Sequence, residues 1–165
     1  MILLVFSACN NQFDRAPGTL YEEIPDALRG NYFSVNKSKK DTFKFEINDR
    51  YIIGKNEGKN EDTLDIHKDF EFSSFDKYLF FSVIDDDKIF QISKVKMKKN
   101  YFEMSSIFAE NPNDNKNLSE YFAYKQIPQI GGDTLTIYQM DENALLKYFK
   151  KHVKKKNTIK VYKEK

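Results

Sequence analysis

Asp41-Thr42-Phe43-Lys44-Phe45-Glu46-Ile47 alternates polar and apolar residues without a break. Successive side chains of a strand point to opposite faces, so this order places Phe43, Phe45 and Ile47 on one face and Lys44 and Glu46 on the other. Further short strand-like runs lie at Asn31–Val35, Arg50–Ile53, Thr63–His67, Tyr78–Ile84, Ile89–Met97, Tyr101–Phe108, Asp133–Met140 and Thr158–Tyr162. Asn48-Asp49, tolerant of positive φ, joins the strands of one hairpin, and Asp85-Asp86-Asp87 breaks the chain between those of a second. Tyr78–Ile84 is apolar on both faces, as expected of a central strand covered on each side. The period changes only after Asp141, a fitting N-cap, where Leu145, Tyr148, Phe149, His152 and Val153 fall at helical spacing. The expected fold is therefore mainly β: an antiparallel meander curled into a barrel or a strongly twisted sheet, with one C-terminal amphipathic helix followed by a last strand. Open edges would invite aggregation, which is why the sheet is expected to curl.

The chain has 165 residues, 40% of them hydrophobic, so it carries enough apolar material for a single core and one domain. Net charge is 27 − 25 = +2, too weak a field to require a polyanion, and no nucleic-acid partner is expected. Charge is nevertheless uneven. Residues 147–165 hold nine lysines against Glu164, or +8, which leaves −6 on the remainder. Lys147, Lys151, Lys154, Lys155 and Lys156 form a candidate basic surface for an anionic membrane or an acidic partner. The competing structural reading is a solvated helix face and a lysine-guarded strand edge.

At the amino end, the apolar run Met1-Ile2-Leu3-Leu4-Val5-Phe6 leads into Ser7, Ala8 and Cys9, the single cysteine. Six apolar residues are too few to span a bilayer, which takes about 20. An apolar run ending in small residues instead describes a secretory signal, here without a basic start. Phe6-Ser7-Ala8-Cys9 resembles the lipobox of bacterial lipoproteins, with Phe where that family usually has Leu. The resemblance implies a signal peptide over residues 1–8, acylation of Cys9 by a diacylglyceryl group and palmitate, and a cell-envelope location at a membrane surface. Asn10 to Gly18 is polar and closes on a Pro-Gly turn signal, so residues 9–20 are expected to be a lipidated flexible tether and residues 21–165 a single β-rich domain. The alternative is that Met1–Phe6 is an ordinary strand and Cys9 a buried thiol.

Chemistry-bearing motifs are sparse. His67, read as part of a strand, and His152, on the helix, lack a partner at metal-ligand spacing. There is no Gly-x-Ser-x-Gly elbow and no phosphate loop. Asp85-Asp86-Asp87 reads as a solvated hairpin tip, and the loop-like Asn113-Asp114-Asn115 lacks the glycine and terminal glutamate of a calcium loop. Glu22, Glu23 and Asp26 have no evident cleft. The pattern Asp-Thr at 41, 62 and 133 has no fixed period and reads as a strand-opening device. No catalytic residue, metal or cofactor is expected.

Leu28-x-Gly30-x-Tyr32 resembles the Gly-x-Trp start of lipocalins, with Tyr in place of Trp. That resemblance implies a barrel in which Phe43, Phe45, Phe80 and Tyr138 line a cavity for a small apolar ligand; a filled core is the competing reading. Two functions follow as expectations. One is a non-enzymatic envelope lipoprotein that binds a small apolar ligand or an envelope component. The other is an interaction or assembly subunit that docks on an envelope protein complex or an anionic surface through its Lys-rich C-terminal region.

Overall fold

A computed structural model describes residues 12–36, 41–55, 62–84, 90–107, 112–128, 134–153 and 158–164. Its elements in chain order are β1 (Gln12–Phe13), β2 (Thr19–Leu20), a 3-10 turn (Asp26–Leu28), β3 (Gly30–Asn36), β4 (Asp41–Ile47), β5 (Tyr51–Lys55), β6 (Thr63–Asp65), β7 (Phe70–Phe75), β8 (Tyr78–Ile84), β9 (Phe90–Met97), β10 (Tyr101–Ser106), α1 (Pro112–Ser119), β11 (Tyr124–Pro128), β12 (Thr134–Tyr138), α2 (Glu142–Lys151) and β13 (Thr158–Lys163). The fold is mainly β, a largely antiparallel sheet curled into a half-barrel, with a C-terminal helix followed by a last strand.

Two four-stranded meanders, β3–β6 and β7–β10, make up most of this sheet. They are joined by the last strand: β13 pairs with β10 through Tyr101↔Tyr162 to Ser105↔Thr158, and with β3 through Val161↔Ser34 to Lys163↔Tyr32. The two outer ends approach each other at a bridge between Ile66 and Phe70. Tyr21 N–H donates to Phe72 O and Ile24 N–H to Asp49 O, so the segment after β2 ties β7 to the β4–β5 turn. Three further strands extend the same sheet from β9. β1 pairs parallel with β12 and touches β9 at Phe13↔Phe90, and β12 carries β11 on its other side.

Alternation along the strands builds a core on each face. On the inner face Tyr32, Ile47, Ile52, Ile66, Phe70, Phe72, Phe81, Val95, Phe102 and Val161 form one buried cluster, joined by Ile24 and Leu28 from the connection that closes one end. Tyr32 packs its ring against Phe45 at 5.9 Å and Phe102 at 5.2 Å, so contacts cross several strands. The outer face of β8 and β9 is covered by α2, α1 and β12: Phe80, Ile92, Leu118, Phe122, Tyr138, Leu145, Tyr148 and Phe149 pack together there with Phe13. β8 is thus buried on both faces, as its sequence predicts. Each fully buried large apolar side chain contributes roughly 1.5–3 kcal/mol, so two such layers explain stability without a disulfide.

Several expectations need correction. Of the tether expected over residues 9–20, the described part, Gln12–Leu20, belongs to the fold, with Phe13 fully buried and Thr19–Leu20 paired to β7. Between them, residues 14–18 form a strap across to α2. Asp14 Oδ1 accepts from Met140 N–H at 2.8 Å, Arg15 pairs with Glu142, and Gly18 N–H donates to Glu142 Oε1 at 3.1 Å. Gly18 needs its φ of +70°, and a Cβ there would sit 2.1 Å from Ser74 O. The Pro-Gly pair marked a turn correctly but not a mobile one. Residues 111–117 read as loop because of their asparagines, and Leu118 to Lys125 as either a short helix or a strand; α1 covers Pro112–Ser119, since proline suits a first helical turn, and β11 begins at Tyr124. His67 lies not on a strand but in the β6–β7 turn at φ 66°. The β4–β5 turn uses no positive φ at Asn48 or Asp49; Asn48 Oδ1 accepts from Arg50 N–H and Tyr51 N–H instead. The Asp-Thr pairs do open strands: Asp41 starts β4, Thr63 starts β6 and Thr134 starts β12. Residues 1–8, Cys9, Asp85–Asp87 and Lys154–Lys156 lie outside the described residues.

Candidate binding surface

The four aromatic residues expected around one cavity occupy two different layers. Phe45 packs against the inner cluster, and Phe43 shares its face by alternation along β4. Phe80 and Tyr138 are fully buried in the outer core, where Phe80 faces Phe149 at 6.2 Å and Tyr138 lies 5.8 Å from Phe13. No single cavity joins all four, because residues 43 and 45 point to the opposite side of the sheet from residue 80. The inner face is occupied by the cluster of buried aliphatic and aromatic side chains described above.

On the other half of the outer face, beyond the strands covered by α2, a row of rings crosses three strands. Tyr101, Tyr162 and Phe33 are register neighbours on β10, β13 and β3, with ring centroids 5.7 Å and 5.4 Å apart. The row continues into Lys44 on β4 and Lys55 on β5. Beside it runs a second row, Lys96, Glu103 and Lys160, and Lys160 Nζ stands 5.3 Å from the Tyr101 ring centre. Tyr162 is 36% exposed and Val35, next to Phe33, 46% exposed. Two lysines of this face are already paired, Lys44 with Glu164 at 3.6 Å and Lys55 with Glu46 at 2.8 Å, whereas Lys96 and Lys160 flank only Glu103. Rings with interleaved ammonium groups offer flat apolar area, cation–π contact and salt-screened attraction to acidic groups.

The C-terminal basic set is divided by the fold. Lys147 and Lys151 lie exposed on α2, and Lys151 Nζ is 5.7 Å from the Tyr121 ring, on the side of α1 and β11. Lys160, not singled out by sequence, is the C-terminal lysine brought to the aromatic row. Lys94 sits where covered and open halves meet, its Nζ 5.2 Å from the Tyr78 ring and 4.9 Å from that of Phe149; burial, aided by Lys96, pushes its ammonium below the usual lysine range. Alternation does mark Lys160 and Tyr162 as facing away from Ile159 and Val161. What sequence could not supply was the neighbour, since Tyr101, Tyr162 and Phe33 meet only because β13 inserts between strands remote in sequence.

The remaining polar candidates have structural roles. Arg29 pairs with Glu23 at 3.0 Å and Asp26 at 2.9 Å, pinning the 3-10 turn. His152 caps the end of α2, stacked 4.9 Å from Tyr148 and edge-on to Tyr121, with Nε2 buried and without a hydrogen-bond partner. Glu71 is held above the ordinary carboxylate range by burial, against the opposing influence of His67, and faces Ser82 across β7 and β8. The hydroxyls of Ser73 and Ser82 are buried and lack hydrogen-bond partners. The chain matches no protein-family model, no curated protein and no solved structure.

Proposed function

We propose that this protein is a non-enzymatic, lipid-anchored component of the bacterial cell envelope that works by docking on an acidic protein partner. The anchor reading rests on Phe6-Ser7-Ala8-Cys9 and the apolar run before it. The described residues contain no helix long and apolar enough to cross a membrane. Docking, rather than enclosure of a small ligand, is supported by one observation above all: buried aliphatic and aromatic side chains pack the inner face, while the Tyr101–Tyr162–Phe33 row with Lys96 and Lys160 is turned outward.

The test has two arms. Radiolabelled palmitate given to the natural host labels the wild type and not Cys9→Ser; an unlabelled wild type removes the anchor. Native mass spectrometry of the purified protein then shows a stoichiometric protein partner that is lost in Lys160→Glu/Tyr162→Ala. A partner retained by that variant, or a tightly held small lipid in its place, overturns docking through this face.

A further inference from the structure

We propose that β11 is the part of the molecule that lies against the bilayer holding the anchor; this rests on acylation of Cys9. Only Asn10 and Asn11 separate Cys9 from Gln12, the first residue of β1. Three extended residues reach at most about 11 Å, so an acyl chain on Cys9 would hold Gln12 within that distance of the membrane interface. Gln12 is in register with Ile137, and Ile137 with Lys125, so β11 lies two strands away, about 10 Å at the usual interstrand spacing. Because β1 runs parallel to β12, its upstream end points towards Thr134, whose partner is Pro128 at the end of β11.

The chemistry of β11 suits that position. All five residues, Tyr124, Lys125, Gln126, Ile127 and Pro128, are exposed, Tyr124 by 49% and Ile127 by 36%, and none carries a carboxylate. Among the described residues β11 ends the sheet order, with β12 as its one neighbour. A tyrosine and an isoleucine beside a lysine match a phospholipid headgroup layer: the ring sits at the interface, the aliphatic group enters it and the ammonium meets phosphate. The acids nearest β11 in sequence are Glu120, exposed in the turn after α1, and Asp133, set against the basic Lys116 and Lys125. The aromatic row is remote from β11 across the sheet: β13, which carries Tyr162, is five strands from β11 in the order β11-β12-β1-β9-β10-β13, about 24 Å at the usual interstrand spacing.

The chain contains no tryptophan, so Tyr124→Trp and Tyr162→Trp each introduce a single emitter. Acylated protein of each kind is reconstituted into phosphatidylethanolamine–phosphatidylglycerol vesicles with brominated acyl chains. Emission of the Tyr124→Trp variant is expected to shift to the blue and to be quenched several-fold more than that of Tyr162→Trp. Ile127→Trp gives the same result and serves if the first variant misfolds. Equal quenching at both ends, or none at position 124 in protein that carries palmitate, overturns the orientation and leaves the anchor standing. A doubled mass with an unquenched position 124 assigns the edge to a second copy, which also overturns it. Failure of the wild type to take up palmitate removes the anchor itself, and the proposal with it.

Discussion

Glu142 shows how much one side chain can hold. It begins α2, where a negative charge is favoured by the helix dipole, and its Oε1 takes both the Arg15 guanidinium and the Gly18 N–H. The hydrogen bond from Arg15 dominates, and the carboxyl is held at about 2, well below its ordinary 4.5. A lowered carboxyl pKa stabilises the fold above the unfolded-state value, and that contribution is lost as pH falls from about 4.5 through about 2. Glu142→Gln keeps the shape and removes the charge, so it should cost about 1–3 kcal/mol at neutral pH and nearly nothing near pH 2. Urea midpoints of both proteins at the two pH values check this, and an equal deficit at both would show that the strap is not held by charge. Glu142 was invisible as a partner of Arg15 from sequence, since 127 positions separate them.

Among the elements, α2 is the one most fully announced by its sequence, because helical spacing and an N-cap are local signals. Asp141 Oδ1 accepts from Ala144 N–H at 2.9 Å, and Leu145, Tyr148 and Phe149 are the buried residues of the stripe. Its packing partner was not announced. Phe149 seats against Phe80 on the outer face of β8 and beneath the Lys94 ammonium, so Phe149→Ala should open a cavity costing about 3–5 kcal/mol. Thermal unfolding followed by circular dichroism measures the loss, and a change below about 1 kcal/mol would mean that the helix is not docked as described. The strands follow the same division. Alternation in Asp41–Ile47 fixed which residues share a face, but which face received the helix depended on where α2 landed.

At the scale of the whole molecule, β13 decides the architecture. It is the last strand in sequence and a central one in the sheet, with β10 on one side and β3 on the other, and it places Val161 in the inner core. Truncation after Asn157 would strip both neighbours of a ladder and remove Ile159 and Val161 from the inner layer. The loss should rival the whole stability of a domain, about 5–15 kcal/mol, and the shortened chain is expected to lose its cooperative melt. A sigmoidal transition in that chain would show that the two meanders stand without their seam.

Sequence alone determined what depends on near neighbours: strands from alternation, α2 from its period and cap, and two-sided burial of β8 from its unbroken apolar run. Tertiary structure alone decided that residues 12–20 belong to the domain, that Phe43 and Phe80 serve opposite layers, and that Tyr101, Tyr162 and Phe33 stand in one row. The reason is physical. Periodicity reports which side of its own strand a residue occupies, whereas strand order is set by pairing energies between segments far apart in the chain, on which the local pattern carries no information.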